Sequence, residues 1–108
     1  MSLQVLRAVA NVPASATSTL ITAVSGRVIR VVQVGLNCGT ATNVVFLGSG
    51  TAITPTWYIG STGGFALNYS EKGWFQTVSG EALTMTTSTG GTVGVLIGYT
   101  HETPYEGA

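Results

Sequence analysis

The chain has 108 residues, long enough for a modest core without disulfide or metal, and 1–108 is read as one domain with no linker. Only 7% of residues are charged and 44% are hydrophobic, with mean hydropathy +0.41 and a formal net charge of zero. Four basic residues argue against nucleic acid as a partner, and apolar stretches cut by Gly35, Asn37, Gly94 and Gly98 argue against a membrane-spanning helix, which needs about 18 residues.

Fifteen glycines, abundant Thr, Val and Ile, and no helical periodicity predict an all-β chain. The first strand is expected over Leu3 to Val9 and the second over Thr19 to Val24, separated by the turn signal Asn11-Val-Pro13. The opening MSLQVLRAVANV has no positive start followed by a long apolar run, so synthesis in a cytoplasm is expected. The third strand, Val28 to Leu36, carries apolar residues in both parities. One face of a strand in a two-layer sandwich meets the core, so this pattern implies a second cover, most simply a neighbouring subunit.

Cys38-Gly39 ends that strand, and a single cysteine forms no internal disulfide. Further strands are expected over Val44 to Leu47, Thr56 to Ile59, Phe65 to Tyr69 and Trp74 to Val78. Two of them hold adjacent aromatic pairs, Trp57-Tyr58 and Trp74-Phe75. Successive strand side chains point to opposite faces, so each pair sends one ring inward and one outward, unless a bend or bulge turns both inward.

The last hairpin, Ala82 to Thr87 and Thr92 to Thr100, alternates most regularly. Leu83, Met85, Val93, Val95, Ile97 and Tyr99 share the core parity, while Gly94 and Gly98 on the other parity leave room for a close approach. Strands at this spacing predict an antiparallel β-sandwich or jelly roll of about eight strands. The polar ends, Met1 to Val12 and Thr100 to Ala108, are candidates for clasping arms or frayed termini, with Tyr105 as an anchor beside Pro104.

Little points to chemistry. His101 is the only histidine and there is no aspartate, so neither a hydrolytic triad, a carboxylate pair nor a zinc or calcium site is expected. A Cys38/His101 pair has no local motif behind it. The glycine-rich Gly48-Ser-Gly50 and Thr89-Gly-Gly91 lack the Lys and helix of a phosphate loop. No enzyme activity, metal or cofactor is expected. The residues expected at a subunit or shell contact are Trp57, Tyr58, Trp74, Phe75, Arg7, Arg27, Arg30 and Tyr105.

Gly73-Trp-Phe-Gln-Thr-Val-Ser-Gly-Glu-Ala-Leu83, followed by a Thr-rich hairpin and Gly94-Val-Leu-Ile-Gly-Tyr99, resembles the C-terminal half of small structural proteins encoded among tailed-bacteriophage head genes. The resemblance covers most of the chain in outline. It implies a jelly-roll virion protein, often a homotrimeric decoration (cement) protein seated on the capsid surface against the major capsid protein. The competing expectation is a receptor- or glycan-binding module of a phage fibre or surface appendage, with Trp57, Tyr58 and Trp74 as a sugar-stacking platform.

Overall fold

The Thr-, Val- and Ile-rich segments form strands throughout, with no helix among the described residues, in a computed structural model that describes residues 5–48, 50–88 and 90–102. In chain order they are β1 (Leu6–Val12), β2 (Thr17–Ile21), β3 (Val28–Cys38), β4 (Thr42–Gly48), β5 (Thr51–Ala52), β6 (Trp57–Ile59), β7 (Gly64–Leu67), β8 (Phe75–Gln76), β9 (Leu83–Thr87) and β10 (Val93–Glu102). One sheet runs β1-β10-β3-β7, with β8 also on β3; the other runs β2-β9-β4-β5, with β6 also on β4. Every pairing is antiparallel.

Setting aside the two-residue strands β5 and β8, eight strands remain. The first sheet takes the first, eighth, third and sixth of them, and the second takes the second, seventh, fourth and fifth. This is the strand order of a jelly roll. The sandwich core lies between the two sheets, around the fully buried Phe46, Ile29, Leu83, Met85 and Ile97. Full burial of a side chain such as Phe46 contributes about 1.5–3 kcal/mol.

β3 departs from the expectation of a two-faced strand that needs an external cover. Its pairing with β10 shifts between Gly98, opposite Gln33, and Tyr99, opposite Val31, so Val32 is the extra residue of a β-bulge. The bulge inverts the alternation: Val34, Leu36 and Cys38 enter the core on one side of it, Ile29 and Val31 on the other. Val28 and Val32 are also buried within the single chain. The whole Val-rich ribbon is therefore sheltered by its own fold, and the subunit inferred to cover it is not needed.

Residues 70–74 strap the bulge. Ser70 donates its N–H to Val32 O at 2.9 Å, and Trp74 donates to Val31 O at 2.7 Å. Carbonyls of successive residues in a regular strand point to opposite edges, so their meeting one strap is itself a mark of the bulge. Gly73 closes the strap at φ +83°, where a Cβ would fall within 2.5 Å of Arg30 Cγ. The break in regularity also divides the partner edge, with β7 on residues 34–37 and β8 on residues 30–31.

The ends differ from expectation too. β1 continues to Val12 because the turn begins at Pro13, whose ring removes a backbone donor, and Ser15 then takes a positive φ of 52°. Leu6–Val12 and Thr100–Glu102, placed in candidate arms by the sequence, are paired strand residues. Tyr105 and Pro104 lie outside the described residues.

Candidate interaction surface

Each aromatic pair sends one ring inward and one outward, Trp57-Tyr58 within β6 and Trp74-Phe75 across the start of β8. Trp57 turns inward against Phe46 (ring centroids 5.9 Å apart) and Phe65 (4.9 Å), and Phe75 packs on Phe46 at 5.2 Å. Tyr58 is 79% exposed and Trp74 is 48% exposed, its indole Nε1 donating to Asn68 O at 2.7 Å. Tyr58 stands across from Asn43 in the second sheet, whereas Trp74 ends the strap at the β3 edge of the first. A joint sugar-stacking platform of Trp57, Tyr58 and Trp74 is not assembled, because Trp57 belongs to the core and the other two belong to different sheets.

The arginines do not converge either. Arg7 points outward from β1 beside Gly98, and Arg27 is exposed in the turn before β3. Arg30 forms an ion pair, its Nη1 lying 3.2 Å from Oε1 of Glu102, which is only 7% exposed. Thr100 Oγ1 donates to the other carboxylate oxygen at 2.6 Å, so the acid is held by two partners. The bulge sets up this pair by turning Arg30 outward together with Thr100 and Glu102 of β10. The Arg30 charge is thereby spent inside the fold.

Cys38 and His101 sit at opposite ends of the first sheet, since Cys38 pairs with Val93 and His101 with Ile29. Eight steps of β10, from Val93 to His101, separate the two positions, about 27 Å. Cys38 is buried with its thiol donating to Gly60 O at 3.5 Å. No group of three or more His, Cys, Asp or Glu side chains comes together among the described residues.

What the register does assemble is a smooth outer face on the β1-β10-β3-β7 sheet. One row across it reads Val9, Leu96, Gly35, Ala66, and the next reads Asn11, Gly94, Asn37, Gly64. These eight positions carry no charge. Val9 is 75% exposed and Leu96 is 37% exposed, standing beside a hollow of about 370 Å³ floored by Gly35 and Gly94. Nothing lies within 4 Å of a Cβ built on Gly35, whereas at Gly94 it would meet Asn37 Oδ1 at 3.0 Å. Glycine at both positions keeps the hollow open and lets the amide lie across it.

Of this face, the sequence marks the room left by Gly94 and Gly98 but not Val9, Asn11 or Asn37. The signal for Gly35 and Asn37 is their parity: both alternate with the core residues Val34, Leu36 and Cys38. Comparison with protein-family models, with curated proteins and with solved structures finds no match.

Proposed function

We propose that this chain is a structural virion protein that decorates an assembled bacteriophage head and strengthens it by bridging subunits of the major capsid protein. The observation that carries this reading is the pair of uncharged rows on the outer face of the β1-β10-β3-β7 sheet, with Val9 and Leu96 exposed around a glycine floor. Such a patch suits a protein surface, because its rows offer apolar area and backbone approach and themselves hold no charged group to orient a small substrate. The resemblance of Gly73 to Leu83 and Gly94 to Tyr99 to phage head proteins supports the same reading, as does the jelly-roll strand order.

The mechanism is mechanical. A module that binds the assembled shell and not its separated subunits stabilises the shell by mass action, and many copies add their contacts. Binding to undecorated shells of the phage that encodes this chain tests the proposal. Saturable attachment is expected, together with a rise in the temperature at which the shell opens. Leu96→Glu should keep the fold by circular dichroism and weaken attachment about tenfold or more, since burying such a side chain contributes about 1.5–3 kcal/mol. Failure of the unaltered chain to bind these shells would reject the reading.

A further inference from the structure

A sandwich of two open sheets has four edges, and three of them here are blunted. The β3 edge of the first sheet is occupied by fragments, β7 of four residues and β8 of two. The β4 edge of the second is likewise broken into β5 of two residues and β6 of three. β2, the remaining edge of that sheet, is five residues long and has a register irregularity between Thr19 and Ile21. Short strands and bulges are the devices by which sheets avoid pairing with foreign strands.

β1 has none of them. It is seven residues long, regular in register from Leu6 to Val12, free of Pro and Lys, and paired only with β10 among the described residues. Its far side therefore presents a row of backbone N–H and C=O groups that an extended chain satisfies. The inward residues Ala8 and Ala10 are only half-buried although they pack on the core, so the seam along this edge is also incompletely closed.

We infer that β1 pairs antiparallel with β1 of a second copy of this chain, about a two-fold axis through Val9, joining the two β1-β10-β3-β7 sheets into one. The sequence of β1 is self-complementary under that axis. Leu6 then faces Val12 of the partner copy and Ala8 faces Ala10, keeping apolar residues on the core side, while Val9 meets its own equivalent on the outer side. Arg7, the only charge in the strand, faces Asn11. The two Arg7 side chains stand four residues apart along the seam, about 13 Å, which is beyond the screening length at physiological salt. This contact is two-fold, so it replaces the threefold association that the sequence resemblance implies, and it does not depend on attachment to a shell.

Sedimentation equilibrium over a wide range of concentration, with amide exchange followed in parallel, tests the pairing. The expected result is a monomer–dimer equilibrium in which alternate amides of Leu6–Val12 exchange more slowly as the dimer forms. Val9 is exposed, so Val9→Lys should leave the monomer folded; by placing like charges opposite each other it should weaken the dimer about tenfold or more. Val9→Glu should do the same, and an equimolar mixture of the two variants should restore dimers. A wild-type chain that stays monomeric, a mass of three copies, a Val9→Lys dimer of undiminished affinity, or a mixture that fails to recover would each overturn the assignment. Leu96→Glu separates this contact from the proposed decoration: Leu96 lies on β10, one strand in from the seam, so this variant should dimerise as the wild type does while losing shell attachment.

Discussion

At the scale of single residues, the adjacent aromatics show how far period-two reasoning reaches. That one ring goes inward and the other outward follows from strand alternation for Trp57-Tyr58, both within β6, whereas Trp74 stands just before β8 and is turned by the strap. Which ring goes in does not follow from alternation: Trp57 is inside and Tyr58 outside, yet Phe75 is inside and Trp74 outside. The choice is set by pairing, since Trp57 lies opposite Val44 of β4 and Phe75 opposite Val31 of β3, both core positions. Trp57→Ala should accordingly cost about 3 kcal/mol in urea denaturation, and Tyr58→Ala less than about 0.5 kcal/mol. Equal losses would undo the inward and outward assignment.

β3 carries the corresponding lesson for whole elements. Its apolar residues in both parities are legible in the sequence, but reading them as two buried faces assumes an unbroken alternation. The bulge at Val32 breaks it, and its position depends on where β10 shifts register and where residues 70–74 find carbonyls. Neither partner is local in sequence. The strap should be sensitive to Gly73, whose φ of +83° disfavours other residues and whose missing Cβ makes room for Arg30. Gly73→Ala is expected to destabilise the fold by about 1–2 kcal/mol. It should also speed hydrogen exchange at the Ser70 and Trp74 amides more than at core amides of β9. Uniform acceleration would mean that the strap is not a local unit.

For the molecule as a whole, the first and last strands described are neighbours, β1 lying on β10 with Leu6 opposite Tyr99. Nearly the entire chain must be in hand before that sheet closes, and β10 also supplies the long partner of β3. Loop closure on this scale is slow, so folding should take milliseconds to seconds, as in other sandwiches of non-local pairing. Stopped-flow refolding monitored by tryptophan fluorescence checks this; a single microsecond phase would be inconsistent with the strand order. The same closure makes β1 an outermost strand, which is why its seven regular residues are the edge proposed to pair with a second copy.

The sequence alone determined that the chain is all-β, that it alternates core and surface positions, and that it carries unusually little charge, because these are properties of composition and of nearest neighbours along a strand. The tertiary structure decided the rest: the jelly-roll order, the bulge that puts Ile29 and Val31 in the same core as Val34 and Leu36, the Arg30–Glu102 pair and the rows of Val9 and Leu96 beside Gly35 and Gly94. Each of those joins residues far apart in the chain. Alternation fixes the face a side chain occupies only relative to its neighbours in sequence, whereas what lies across from it is set by strand register, which many distant contacts decide together.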